Sequence, residues 1–218
     1  MTALQDQLDE ITSRTRDLVQ PERLAVGEKA VEELFASQVE DKILPVGAIA
    51  PDFALKDSNG KVLRSSDLLQ TGPLIIKFFR GRWCPYCMTE LEAWRDLYGQ
   101  LRERDIFFVA VGPQIARQSD FMAGQHGLPF PILTDVNNTV AEQFGLVYTV
   151  PEYHRDYYLS ILVNIPFVNG EKSWRLPLPA TYVIAKDRKV IFAEAHADFR
   201  VRPEPQEALV AAFAASGR

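Results

Sequence analysis

Apolar and polar positions follow a helical period at the start of the chain. Leu4, Leu8, Ile11 and Leu18 recur among charged and amide residues, which predicts an amphipathic helix over residues 3–18. Pro21 suits the first turn of a second helix, with Leu24, Val31, Leu34 and Phe35 on its apolar side. That segment ends near Val39 to Lys42. Left open, the apolar stripe would be an exposed hydrophobic surface, so both helices are expected to pack. A second copy of the chain is the preferred outlet and the chain's own domain the other. Residues 45–60 are rich in turn formers, with a turn at Ser58-Asn59-Gly60.

The pattern then changes period. LIIKFF at 74–79 predicts a buried strand, and the amphipathic stretch MTELEAWRDLYGQLRER after Cys87 predicts a helix. Ile106 to Val111 reads as a second buried strand, residues 115–126 as a helix, Phe130 to Leu133 as a short strand and Asn138 to Phe144 as a short helix. Residues 148–175 are tyrosine-rich and irregular, with a helix near 152–162. Thr181 to Ala185 and Val190 to Glu194 alternate as strands around the turn Lys186-Asp187-Arg188, and a last helix runs from Pro205 to Phe213. This alternation predicts an α/β fold with a central mixed sheet flanked by helices. It divides the chain into an N-terminal helical arm, residues 1–42, and an α/β domain, residues 43–218.

Hydrophobic residues make up 47% of the 218, enough to build a core without staples. The net charge of -5, with no basic tract, argues against nucleic acid or an anionic membrane as partner. The opening MTALQDQLDEITSR lacks the basic start and apolar run of a secretory signal, and no stretch is long enough to span a bilayer. The expected location is the cytoplasm.

Candidate chemistry centres on the two cysteines. Cys84 and Cys87 lie in Arg80-Gly81-Arg82-Trp83-Cys84-Pro85-Tyr86-Cys87, between a predicted strand and a predicted helix. A staple closing so short a loop would remove little chain entropy, so a close pair points to redox work or metal binding. Pro85 fits the first helical turn, which puts Cys84 at the helix start and Cys87 one turn in, on the same face. Free N–H groups and the helix dipole there favour a thiolate, and Arg80 and Arg82 add to that field. Cys84 is therefore expected to be the more exposed sulfur, with the lower pKa. Zinc takes four ligands, and one pair with the scattered His126, His154 and His196 does not supply them; no metal or cofactor is expected. Two inert core cysteines remain the bland alternative.

The segment LIIKFFRGRWCPYCMTELEAW resembles the active-site region of the peroxiredoxin-like branch of the alkyl hydroperoxide reductase and thiol-specific antioxidant family, within the thioredoxin superfamily. The resemblance extends to Ala50-Pro51-Asp52-Phe53, FFVAVGP, FPILTDVNNTVAEQFGL and LPATYVIAKDRKVIFA, over roughly residues 45–215. It implies a thioredoxin-like fold, hydroperoxide reduction, and a thioredoxin- or glutaredoxin-like reductant. The departures concern the site. With Cys87 in the peroxidatic place, the family's proline and threonine positions hold Arg80 and Cys84, and its distant arginine position holds Pro179. Cys84 and Pro179 match instead the first cysteine and cis-proline of thioredoxin-like oxidoreductases, so the Leu178–Pro179 bond is expected to be cis, with Pro179 facing the pair.

Three functions compete. The leading one is a thiol-dependent antioxidant enzyme reducing hydroperoxides through a Cys84–Cys87 dithiol–disulfide cycle. The others are a thiol–disulfide oxidoreductase and a redox-sensing binding protein. The two family patterns together imply that Cys84 leads on disulfides and Cys87 on peroxide. Around the pair, Trp83 shields the site or packs on the sheet, and Tyr86 faces solvent or a partner. His196 reads as a loop histidine and Asp52 as a loop cap. Tyr148, Tyr153, Tyr157 and Tyr158 read as core or interface.

Overall fold

A computed structural model describes residues 3–217. Seven strands form the main sheet: β1 (Ala54–Asp57), β2 (Val62–Arg64), β3 (Leu74–Phe78), β4 (Phe107–Gly112), β5 (Ile132–Thr134), β8 (Ala180–Ile184) and β9 (Val190–Ala195). Their order is β2-β1-β5-β4-β3-β8-β9. β3 runs parallel to β4 and antiparallel to β8, so the sheet is mixed. Central β3 is buried along its whole length, because helices cover both faces. On one face pack α1 (Leu4–Leu18), α4 (Pro85–Arg102), α5 (Ala116–His126) and α9 (Pro205–Ser216). On the other lie α3 (Ser65–Leu68) and α6 (Thr139–Gln143). A two-stranded ribbon, β6 (Val147–Thr149) with β7 (Arg175–Pro177), carries α7 (Glu152–Ser160) and α8 (Ile165–Asn169) between its strands.

The segment 45–60 is less loop-like than its composition suggests. Its end forms β1, which pairs with β2 as an edge hairpin and with β5 toward the sheet interior. Half-exposed edge strands this short give no clean alternation to read.

The N-terminal helices pack on their own domain. Leu4 and Leu8 of α1 are buried in the core beside α4, and α2 (Pro21–Ala36) lies beside α7 with Ala30 and Val31 buried. Leu18 and Phe35 are corrections to the predicted stripe, at 85% and 51% exposed. They sit in the last turn of each helix, beyond the reach of the surfaces that cover the rest.

The Leu178–Pro179 peptide bond is also a correction, because it is trans. Pro177 pairs with Val147, the Leu178 N–H donates to the Leu146 carbonyl at 2.7 Å, and Ala180 pairs with Phe78. These three attachments hold the chain extended from the ribbon into β8. Pro179 is buried at the start of that strand. Among the described residues no helix is long and apolar enough to cross a membrane.

Candidate active site

The cysteine segment leaves the carboxyl end of β3 and turns into α4. Gly81 makes the turn possible. Its φ is +152°, and a Cβ there would lie 2.5 Å from the Trp83 indole nitrogen. The Gly81 carbonyl accepts the Cys84 N–H at 3.1 Å. Cys84 is the N-cap residue of α4, Pro85 its first residue, and Cys87 follows one turn in, as the spacing predicts.

Both sulfurs are buried, and their pKa order is the reverse of the expected one. Cys84 is 1% exposed and Cys87 fully buried. Burial pushes the Cys84 thiol well above its ordinary range, and the hydrogen bond and charge of Cys87 push it further. Burial would raise Cys87 too. There it is outweighed by a hydrogen bond from Cys84, the guanidinium groups of Arg202 and Arg80, and a backbone hydrogen bond at Arg80, which bring Cys87 down to about 6. The thiolate of the pair therefore rests on Cys87, not on the helix-capping Cys84. Charges in a low-dielectric interior are poorly screened, so two buried cations act strongly on the Cys87 sulfur.

Arg202 belongs to a network. Arg202, in the loop before α9, has Nη2 3.9 Å from Cys87 Sγ and donates from Nε to Glu90 at 2.8 Å. Glu90 lies one turn beyond Cys87 on α4, and its other oxygen meets Lys77 Nζ of β3 at 2.5 Å. Lys77 also donates to Thr181 Oγ1 at 3.1 Å. All of these side chains are essentially excluded from water. Burial lowers the Lys77 pKa and the charge of Glu90 opposes that shift. The network holds Arg202 beside Cys87, where its charge, with the Cys84 hydrogen bond and Arg80, favours the thiolate.

The predicted site residues separate into two groups. Arg80 is buried, with Nη1 3.9 Å from Cys84 Sγ, Nη2 hydrogen-bonded to the Tyr158 hydroxyl, and its guanidinium stacked on Trp83 and Phe199. Trp83 is half-buried and meets Tyr158 edge-on. Arg82 points elsewhere: it is exposed and tied to Gln118 on α5 at 2.5 Å. Tyr86 does not face solvent, as expected of it. It is buried under α1, its hydroxyl 3.1 Å from Thr12 Oγ1 and its ring against Phe199.

Of the other residues singled out, Asp52 accepts from Ser65 Oγ at 2.6 Å in the loop before β1, and His196 pairs with Glu194 at 3.0 Å. Tyr153 donates to Glu33 of α2 at 2.6 Å, and Tyr148 stands beside Arg80. Sequence reasoning missed Arg202, Glu90 and Lys77. A signal existed for two of them, since Lys77 interrupts an apolar strand and Glu90 falls on the apolar face of α4. Arg202 stands in a polar loop and carries no local signal.

Above Cys84 lies a cavity of about 240 Å3. Its floor includes Arg80, Trp83 and Cys84, one wall is α7, and the opposite wall is built by α1 and α2. Cys87 does not line it.

A buried thiol–thiolate pair in a strand-to-helix turn of a mixed α/β sheet is the arrangement of a thiol redox family, and the AhpC/TSA family model matches residues 46–193. The chain belongs to the AhpC/TSA family. It is 28% identical to peroxiredoxin Bcp of Bacillus subtilis over 115 residues, 52% of this chain and 72% of that protein. It is 25% identical to the thiol-disulfide oxidoreductase ResA of Bacillus anthracis over 171 residues, 77% of this chain and 78% of that protein. Among solved structures, the peroxidoxin BcpB of Mycobacterium tuberculosis superposes with a TM-score of 0.61 at 25% identity, covering 78% of this chain and 97% of that one. This family member is a thioredoxin-fold, thiol-dependent oxidoreductase. The helices α1 and α2 lie outside the matched segment.

Proposed function

We propose that the protein reduces hydroperoxides through a Cys84–Cys87 dithiol–disulfide cycle, with a thioredoxin-type protein closing the cycle. The observation that carries this reading is the buried cysteine pair flanked by two guanidinium groups, Arg80 3.9 Å from Cys84 Sγ and Arg202 3.9 Å from Cys87 Sγ, an arrangement that lets Cys84 donate its proton to a Cys87 thiolate. The peroxiredoxin alignment alone would give peroxide to Cys87. The cavity favours Cys84, the sulfur that lines it.

The cycle balances as follows. Cys84 passes its proton to Cys87 and attacks the terminal oxygen of the hydroperoxide; the S–O bond forms and the O–O bond breaks. The leaving alkoxide takes the proton back from Cys87 and departs as the alcohol. Cys84 is now a sulfenic acid and Cys87 again a thiolate. Cys87 attacks the Cys84 sulfur, the S–S bond forms, and hydroxide leaves to collect a proton from solvent as water. Arg80, beside Cys84 Sγ, offers positive charge where the oxygens become negative. Trp83, Pro85 and the buried Pro179 shape the turn and its surroundings.

Stopped-flow mixing of pre-reduced protein with one equivalent of peroxide tests this. Stoichiometric loss of peroxide and a Cys84–Cys87 disulfide in the peptide map are expected. Cys87→Ser should stop at a trappable Cys84 sulfenic acid, and Cys84→Ser should not form one at Cys84's place or turn over. A second reading, thiol–disulfide exchange, draws on the likeness to ResA and on the vicinal pair at a helix start. It takes precedence if reduced protein leaves peroxide untouched but is oxidised by a disulfide.

A further inference from the structure

We propose that α1 and α2 form a selectivity chamber over Cys84, and that its ligand is a compact organic anion with an apolar body, presented as a hydroperoxide. Gly27 sets the size of that body. This rests on the peroxidase reading above and adds the substrate's chemistry to it.

Enclosure is the first observation. The wall facing α7 comes from residues 12–31, outside the matched family segment. It is fastened on several sides. Thr12 meets Tyr86 at 3.1 Å, Glu28 holds Arg200 in a two-pronged ion pair at 2.5 and 2.9 Å, and Arg23 donates to Ser160 at 2.6 Å. A small molecule fits between this wall and α7, next to Cys84. At ~30 Å3 per water, the cavity holds the volume of on the order of eight waters, below the ~300 Å3 at which drug-sized pockets begin.

Lining chemistry is the second. Leu24, Val31, Tyr157, Ile161 and Phe199 supply apolar surface. Arg80 Nε and Trp83 Nε1 on the floor are buried N–H groups without an acceptor. A ligand carrying oxygen next to Cys84 would satisfy them, which an apolar ligand would not.

Charge is the third. Four arginines and one glutamate line the cavity of a chain whose net charge is -5. Arg200 is answered by both Glu28 and Asp198, and His154 is neutral because burial, and then Arg80, lower it to about 4. The other arginines of the lining are Arg80 on the floor, beside the cysteines, and Arg16 and Arg23 at the exposed edge. A low-dielectric recess with one sign of charge concentrates ligands of the other.

Gly27 makes the chamber adjustable by design of experiment. It lies within α2, lines the cavity, and a Cβ there meets nothing within 4 Å. A larger side chain therefore grows into the chamber while improving helix propensity.

The probes are hydrogen peroxide, cumene hydroperoxide and its para-carboxylate, each assayed with the full-length protein. kcat/KM is expected to rise in that order. Gly27→Phe should lower the ratio of organic to hydrogen peroxide turnover by at least about tenfold. Ile161→Trp, filling from the opposite wall, should act in the same direction. Arg16→Ala with Arg23→Ala should erase the advantage of the carboxylate over cumene hydroperoxide. Equal or better use of hydrogen peroxide by the wild type, or a ratio that neither filling variant changes, overturns the proposal. Consumption of none of the three overturns the peroxidase reading instead. Calorimetric titration with the para-carboxylate of 2-phenyl-2-propanol then decides the chamber: saturable binding lost in Gly27→Phe supports it, and absence of binding to wild type overturns it.

Discussion

The guanidinium of Arg202 stands 3.9 Å from the sulfur of Cys87, although 115 residues separate them in the chain. Through it the loop before α9 sets the charge state of a cysteine on α4. Glu90 holds that guanidinium in place and is itself held by Lys77 on the central strand. Strand, helix and loop thus meet in one buried electrostatic unit beside the Cys87 sulfur.

Removing Arg202 is expected to raise the Cys87 pKa. An opposite charge at this range shifts a pKa by roughly 1–3 units, so Arg202→Met should move the midpoint up by at least about one unit. Thiolate ultraviolet absorbance against pH reads the midpoint directly. Glu90 would then keep only Lys77 as partner, and breaking a buried pair costs roughly 3–5 kcal/mol, so urea unfolding should show a loss of that order. Arg202→Lys restores a charge without the fork and should recover part of the shift. An unmoved midpoint in Arg202→Met would refute the assignment.

How much of this was legible beforehand depended on whether the cause was local. The turn into α4 was readable because Pro85 and the spacing of Cys84 and Cys87 act within one helical turn. β3, β4 and β8 were readable because central strands are apolar throughout. The edge hairpin and the three-residue ribbon strands were not, since their stability comes from pairing rather than from pattern. The thiolate was assigned to the other sulfur for a similar reason. The helix dipole at Cys84 is written in the sequence, whereas Arg202 reaches Cys87 only once the chain has folded. The roof over Cys84 was equally out of view: the amphipathic stripe of α1 shows that a surface is covered, not which one.

Peroxide reduction should decline in acid. The folded Cys87 pKa is depressed to about 6, so below that pH the pair binds a second proton and loses its thiolate. The single-turnover rate is expected to be level above pH ~7 and to fall about tenfold per unit well below 6. Any stability the thiolate lends is present above the unfolded thiol's pKa and lost as pH falls through 6. A rate that keeps rising through pH 8–9 would mean that the group titrated is an ordinary thiol.

His154 adds a second acid sensitivity, in stability rather than rate. Burial, and then the charge of Arg80, lower its pKa to about 4 from the usual 6.5. Between those values the unfolded chain binds the proton and the folded one does not, so stability falls as pH drops from 6.5 toward 4. The loss is on the order of 1–3 kcal/mol. His154→Phe keeps the ring stacked on Tyr158 and should flatten this part of the stability–pH curve. An equally steep curve in the variant would assign the sensitivity to other groups.

The clamp between α2 and the loop after β9 should control access to Cys84. Arg200 grips Glu28 with two nitrogens and Asp198 with three more side-chain contacts, joining the roof of the cavity to the loop that carries Arg202. The side chains of Arg200 and Glu28 are 21% and 45% exposed, so solvent screens the pair, and such a pair contributes about 1 kcal/mol. Losing that much local stability makes opening about fivefold more frequent, at tenfold per 1.4 kcal/mol. Arg200→Ala is therefore expected to speed alkylation of Cys84 by N-ethylmaleimide about fivefold. Amide exchange in α2 should quicken with it, while exchange in β3 and β4 stays slow. High salt should reproduce the effect in the wild type and add little to the variant, because it acts on the same screened pair. If alkylation quickens in the variant without faster exchange in α2, access to Cys84 is gained by another route and the clamp does not govern it.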